Sequence, residues 1–151
     1  MNRRSLIVFQ EDCMGCHACE VACKQEHNLE VGPRLIRVVE KPPRYFSIYC
    51  HHCARPLCAE SCPNTAIVRD ANGIVRVKED LCIGCKSCLE ACPFGAMQYH
   101  EGKEVAVKCD LCYHRLLNND LPACVSVCPT RSIFFGDAGD IREEIVSRII
   151  P

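Results

Sequence analysis

The chain of 151 residues holds sixteen cysteines in four groups of four: Cys13, Cys16, Cys19 and Cys23; Cys50, Cys53, Cys58 and Cys62; Cys82, Cys85, Cys88 and Cys92; and Cys109, Cys112, Cys124 and Cys128. No cysteine is left over. The first and third groups read C-x2-C-x2-C-x3-C, and the second, third and fourth end in Cys-Pro, at Pro63, Pro93 and Pro129. This is the spacing that wraps a cubane iron–sulfur cluster, which takes one thiolate on each of four irons. Three sulfurs of C-x2-C-x2-C fit a tight loop around three corners. The fourth, a helical turn further on, points elsewhere, and in two-cluster ferredoxins it ligates the other cluster. One group cannot complete a site alone, so the groups must be paired. The chemistry such sites support is electron transfer.

Other uses of so many cysteines fit less well. Eight disulfides would not require the repeated C-x2-C spacing. A zinc site needs two C-x2-C arms, whereas a third cysteine two residues further on and a Cys-Pro ending serve a cubane. The C-x3-C-x2-C order of a radical-chemistry cluster is absent after Cys19, Cys58 and Cys88. With four thiolates for each cluster, no iron keeps an open corner for substrate. Neither G-x-G-x-x-G nor G-x4-G-K-[ST] occurs, so no flavin, nicotinamide or ATP site is indicated. No catalytic constellation is present, and the expectation is a non-catalytic protein.

Composition supports a stapled fold. Without its cysteines the chain is roughly 37% apolar, below the usual share. A core that thin usually needs help, and metal–thiolate bonds form only in the folded chain, so the apo chain is expected to be largely unfolded. The formal charge of −1, with Lys and Arg scattered, argues against a nucleic-acid partner. No apolar run approaches the ~20 residues that span a bilayer, so membrane contact would come through another subunit. The opening Met-Asn-Arg-Arg-Ser superficially resembles a twin-arginine signal, yet Leu6 to Phe9 is too short for an h-region and no cleavage site follows. The expectation is a cytoplasmic chain that is not exported alone.

The elements that must position the cysteines are short. Ser5 to Gln10 reads as a strand ending at Glu11-Asp12. Gly15 to His27 places Cys16, Cys19 and Cys23 on one face if helical. Arg34 to Glu40 and Phe46 to Tyr49 look like strands, with Pro42 and Pro43 marking a linker between them. Ala66 to Arg69 and Gly73 to Lys78 form a hairpin candidate around Asn72-Gly73, and Ala96 to His100 with Glu104 to Lys108 forms a similar one. Each cysteine group is followed by a β-like segment, so the chain reads as a degenerate fourfold repeat. Asp137 to Ile150 carries Ile141, Ile145 and Ile149 at i, i+4 and i+8, an amphipathic helix expected to pack on the chain's own body, with docking of a partner subunit as the alternative. The class is α+β.

The motifs C-M-G-C-H-A-C-E-V-A-C-K from Cys13 to Lys24, H-H-C-A-R-P-L-C-A-E-S-C-P from His51 to Pro63, C-I-G-C-K-S-C-L-E-A-C-P from Cys82 to Pro93, and C-D-L-C followed after eleven residues by C-V-S-V-C-P carry a family resemblance. The chain resembles the four-cluster iron–sulfur subunits of molybdenum and tungsten oxidoreductases, the electron-transfer subunits of dimethyl-sulfoxide-reductase-like enzymes, formate dehydrogenases and some hydrogenases. Within that class, Gln25 to Leu29 and Gly32-Pro33-Arg34 look most like the small polyferredoxin subunit of tungsten aldehyde oxidoreductases. The resemblance implies four [4Fe–4S] clusters in two ferredoxin-like bicluster modules, the second inserted into the first. Residues 1–40 and 105–136 would form the outer module, 45–104 the inner one, and 137–151 the closing helix. The implied ligand sets are Cys13, Cys16, Cys19 with Cys128; Cys109, Cys112, Cys124 with Cys23; Cys50, Cys53, Cys58 with Cys92; and Cys82, Cys85, Cys88 with Cys62. Lys24 stands where the other groups have proline, which touches the local turn and not the ligand count. Some relatives replace a cysteine of the third group and hold a three-iron cluster, whereas here all are present.

The implied partners are a catalytic molybdenum or tungsten subunit and a second redox subunit or carrier, and end-to-end self-assembly is conceivable. The rival readings are a free soluble polyferredoxin and a zinc-stapled interaction module. A free carrier usually shows one charged docking face, and this near-neutral chain shows none clearly. Among other side chains, His17, His51 and His52 adjoin ligands and are expected in ordinary polar or packing roles. Lys24, Lys86 and Lys108 also adjoin ligands; a cation there favours the more negative reduced cluster, though such lysines are usually solvated surface.

Overall fold

The backbone is organised as four separate antiparallel ribbons of two strands, with short helices between them. The structure is a computed structural model and describes residues 3–150. Met1 and Asn2 of the opening segment and Pro151 of the closing one lie outside the described residues. The strands are β1 (Ser5–Val8), β2 (Arg37–Lys41), β3 (Arg44–Ile48), β4 (Ile67–Arg69), β5 (Val75–Val77), β6 (Gln98–His100), β7 (Val105–Val107) and β8 (Ile133–Gly136). The helices are α1 (Ala18–Glu26), α2 (Leu57–Glu60), α3 (Ser87–Ala91), α4 (Tyr113–Leu117), α5 (Ala123–Val127) and α6 (Ala138–Ile149).

β1 pairs with β8, Ser5 opposite Gly136 and Val8 opposite Ile133, so the two ends of the chain close on each other. Alternation along β1 buries Leu6 and Val8 and half-exposes Ser5 and Ile7, the pattern of a strand with one covered face. The other ribbons are local hairpins. β4 and β5 pair Ile67 with Val77 across the Asp70–Gly73 turn, where the Asp70 carboxylate accepts from the Asn72 and Ile74 amides. β6 and β7 pair Gln98 with Val107, and this hairpin runs across the expected module boundary between residues 104 and 105. Pro42 and Pro43 form no linker. They occupy the two turn positions of the β2–β3 hairpin, whose last pair is Lys41 with Arg44, and there the ladder needs no N–H from either residue.

The main core joins residues from both ends and the middle: Leu6, Val8, Leu35, Ile36, Val38, Ile74, Val105, Val107, Leu111 and Ile133, with Cys19, Cys23 and Cys124 among them. A second, smaller cluster gathers Ile67, Val75, Met97 and Ala106 with Cys88. Cysteines sit in or against both cores. The cysteine sites and the apolar interior are therefore one structure.

α6 starts with a capping box: the Asp137 carboxylate accepts from the Gly139 and Asp140 amides, and the Asp140 carboxylate accepts from the Asp137 amide. Ile141 and Ile145 are half-buried along a groove with Arg3 and Ser5, while Val146, Ile149 and Ile150 are exposed. Arg148 fastens the far end by pairing with Asp12 and lying 3.9 Å over the Phe9 ring. The apolar stripe thus packs on the chain's own body over its first half only.

Candidate metal centres

Groups one and three are built by the same local device. A single 3-10 turn, Gln10–Asp12 or Glu79–Leu81, delivers the first cysteine, Cys13 or Cys82. A tight loop follows, with Gly15 and Gly84 both at φ +71, and a left-handed His17 or Lys86 opens the helix that carries Cys19 or Cys88. At both glycines a Cβ would collide, with the Tyr45 ring at 2.3 Å and with the Glu104 carbonyl oxygen at 2.7 Å. Left-handed backbone and close approach together call for glycine. In groups two and four the left-handed residues are His52 (φ 46) and Leu111 (φ 60) followed by Cys112 (φ 50). The eleven-residue gap of group four houses α4, after which α5 carries Cys124.

The folded chain brings together cysteines that the sequence holds far apart. Cys13, Cys16 and Cys19 line one cavity with Cys128, walled by Val38 and Ile133. Cys50, Cys53 and Cys58 line a second with Cys92, walled by Leu57, Val75, Phe94 and Met97. Burial pushes the Cys109 thiol well above its ordinary value, and the neighbouring thiols of Cys50, Cys124 and Cys23 add to it. Burial also raises Cys124, with Cys112, Cys23 and Cys19 beside it. Cys88 is pushed up to about 11 by burial and by Cys82, Cys58 and Cys85. Cys62 and Cys82 are both partly buried against the smaller core that holds Cys88.

A buried thiol among thiols stays protonated unless a cation takes up the charge, so these pockets need a metal to become thiolate sites. Cys19, pushed up to about 12 by burial, is one such group. Backbone amides are already aimed at the sulfurs. His52 N–H donates to Cys50 Sγ, Ala66 to Cys62, Ala96 to Cys92, Ala106 to Cys82, Leu111 to Cys109 and Ala123 to Cys112, all at 3.3–3.5 Å. All sixteen cysteines are free of disulfides. Soft, unpaired thiols in sets with N–H donors suit an iron–sulfur cluster.

The remaining expected residues divide by environment. His17 bonds Glu40 at 2.8 Å, which raises its pKa, and lies 3.3 Å from Glu20. His51 stacks between Tyr49 and Phe94. His52 is fully buried, pushed down to about 2 by burial, and its Nδ1 accepts from the Val75 amide at 3.0 Å. Both His51 and His52 serve packing. Lys24 holds the loop after α1 by donating to the carbonyls of Leu29, Glu30 and Gly32. Lys86 is exposed, 4.0 Å over the Tyr99 ring and 3.8 Å from Glu101. Lys108 is buried.

Sequence reading passed over the polar groups that lock the site together. Buried Glu20 accepts from the Val38 amide and pairs with Arg34, tying α1 to β2. His27 Nε2 meets Asp110 at 2.9 Å while its Nδ1 meets the Cys23 carbonyl at 3.0 Å, tying α1 to group four. Despite burial, Asp110 and Cys23 raise His27 to about 11. Position was the available signal for His27, which lies at i+4 from Cys23 at the end of α1.

Comparison with known proteins agrees with this donor set. The profile of the 4Fe-4S dicluster domain matches residues 43–138, and that of a 4Fe-4S binding domain matches residues 10–26. The B subunit of the anaerobic dimethyl sulfoxide reductase of Escherichia coli (strain K12) is 38% identical over 148 residues, 87% of this chain and 72% of that protein. Protein NrfC of the same organism is 38% identical over 154 residues, 95% of this chain and 69% of that protein. In structure, the active site complex BamBC of benzoyl coenzyme A reductase, solved with benzoyl-CoA, superposes with a TM-score of 0.51 at 20% identity, over 98% of this chain and 91% of that one, a likeness of fold.

Proposed function

This chain belongs to the 4Fe-4S dicluster family that includes the B subunit of the anaerobic dimethyl sulfoxide reductase, and on that premise we propose that it is a non-catalytic electron-transfer subunit holding four [4Fe–4S] clusters. The observation that carries the reading is the cavity shared by Cys13, Cys16, Cys19 and Cys128, which joins the first cysteine group to the last. The cavity of Cys50, Cys53, Cys58 and Cys92 supports the same pairing rule for the middle groups. On that rule Cys109, Cys112, Cys124 and Cys23 hold a third cluster, and Cys82, Cys85, Cys88 and Cys62 a fourth. When bound, the clusters supply reversible one-electron chemistry.

The chain's own residues hold the sulfurs, aim amide donors at them and keep water away. The β1–β8 pairing is consistent with an outer module, 1–40 and 105–136, closing around an inner one, 45–104, with the β6–β7 hairpin shared across their boundary. Cys16 with neighbouring Met14, and Cys85 with neighbouring Ile83, are exposed, whereas Cys50, Cys112 and Cys124 are buried. We place the partners, a catalytic molybdenum or tungsten subunit and a second redox subunit, at these two exposed points. Sixteen unpaired thiols suit a reducing, cytoplasmic setting. Among the described residues no helix is long and apolar enough to cross a membrane.

The test is anaerobic purification of the tagged chain from its own cells, with iron, sulfide and co-purifying proteins measured together. About 16 iron per chain, as four cubanes require, with a stoichiometric molybdenum or tungsten subunit is expected. The same iron on an unaccompanied chain would make it a mobile ferredoxin, and zinc in place of iron would sink the electron-transfer reading.

A further inference from the structure

Lys108 is 6% exposed and is the one buried lysine among the described residues. Its ammonium donates to two backbone carbonyls, that of Val75 on β5 and that of Cys109 at 2.6 Å. It pairs with no carboxylate among the described residues. The two carboxylates that line the groove beside it are engaged elsewhere, Asp110 by His27 at 2.9 Å and Glu79 by Lys103 at 3.0 Å. Burying a cation without an anion is costly, so a stable fold must supply negative charge nearby.

The surroundings indicate where that charge resides. Lys108 lines the cavity of Cys50, Cys53, Cys58 and Cys92. It also directly precedes Cys109, whose thiol neighbours Cys50, Cys124 and Cys23. The ammonium therefore stands between one cysteine set of the inner module and one of the outer. Resting on the four-cluster reading above, we propose that Lys108 is the shared counter-ion of these two sites, a tuning residue whose fixed charge favours reduction of both clusters while Lys24 and Lys86 tune little. Four thiolates around a cubane leave it anionic and more so when reduced, and in a buried setting a nearby cation is weakly screened. Lys24 is committed to three carbonyls of the loop after α1, and Lys86 is exposed to solvent beside Glu101.

The experiment is a redox titration of the holoprotein followed by electron paramagnetic resonance, with iron and sulfide measured on each sample. Lys108→Met and Lys108→Gln should keep about 16 iron and make reduction of two clusters about tenfold less favourable, a fall of about 59 mV for a one-electron step. The amide of Gln can still donate to the two carbonyls, Lys108→Arg should restore the potentials, and Lys86→Gln should shift them less. If the neutral variants lose two clusters and Arg recovers them, the counter-ion role is also upheld. Unshifted potentials in a fully loaded Lys108→Met or Lys108→Gln protein, or an Arg variant that behaves as the neutral ones do, overturn it. A wild-type chain without about 16 iron overturns instead the four-cluster reading on which it rests.

Discussion

Cys23 stands four residues after Cys19 on α1, yet its buried sulfur is drawn toward Cys109, Cys112 and Cys124 across the molecule. Cys16, three residues before Cys19, lines the cavity of Cys128 instead. On the proposed ligand sets, membership of a sequence group and membership of a metal site are different things, because a C-x2-C-x2-C loop faces one centre while the next helical turn faces another. Cys16→Ala and Cys128→Ala should both abolish the same paramagnetic signal and lower iron from about 16 to about 12 per chain. Cys23→Ala should abolish a different signal, the one lost in Cys112→Ala. Loss of one common signal from Cys16→Ala and Cys23→Ala would refute the interleaved assignment. Loop residues carry comparable weight. Gly84 combines φ +71 with a Cβ path 2.7 Å from a backbone carbonyl, so Gly84→Ala should cost about 1–3 kcal/mol and lower the melting temperature of the holoprotein. Gly32, with open space around it, should tolerate alanine better despite its positive φ.

Elements in this chain are too short to be stable alone, and their legibility follows from how local their causes are. The hairpins β4–β5 and β6–β7 can be read from turn residues between β-branched segments, since the turn and both strands lie within about a dozen residues. α1 and α6 announce themselves by helical spacing of cysteines and isoleucines. What could not be read is whatever depends on a distant partner. β1 finds its mate 125 residues later in β8, with Val8 opposite Ile133, and nothing in Ser5–Val8 names that strand. The Pro42-Pro43 pair looks like a break and is a hairpin turn, because β2 and β3 supply the ladder on either side. α4 fills a gap that sequence motifs treat as mere spacing, and the hairpin across residues 104 and 105 welds together what motif boundaries divide. The cysteine positions were legible because metal chemistry fixes them; Glu20 and His27 were not, because their partners Val38 and Asp110 come from other elements. The α6 cap isolates one local cause. Asp137→Ala removes the side-chain half of the capping box and should cost about 1 kcal/mol, seen as a lower melting temperature with unchanged iron content.

At the scale of the whole molecule, cysteines lie within both apolar clusters, so removing metal exposes a core that is thin and returns the cost of burying the thiols of Cys19, Cys23, Cys50, Cys88, Cys112 and Cys124 with nothing to bind. Chelation of the holoprotein under anaerobic conditions should flatten its far-ultraviolet circular dichroism, and a spectrum that survives iron loss would show that packing alone sustains the fold. The same architecture leaves two exposed apolar points beside cysteine groups. In the first and third groups the residue between the leading cysteine and its glycine is a large exposed apolar one, Met14 at 57% and Ile83 at 64%, each two residues before an exposed cysteine. The corresponding stretch of group four turns inward, with Leu111 fully buried. An exposed thioether or alkyl side chain over a cysteine set excludes water on contact with a partner and costs little in the free protein, which suits a docking point for electron transfer. A carboxylate there should repel an apolar partner face without reaching the core. Met14→Glu and Ile83→Glu should each retain about 16 iron and wild-type thermal stability while slowing reduction or reoxidation by one partner, a different partner for each variant, in stopped-flow kinetics of the purified complex. Equal slowing with both partners in either variant, or none in both, would place the docking points elsewhere on the surface.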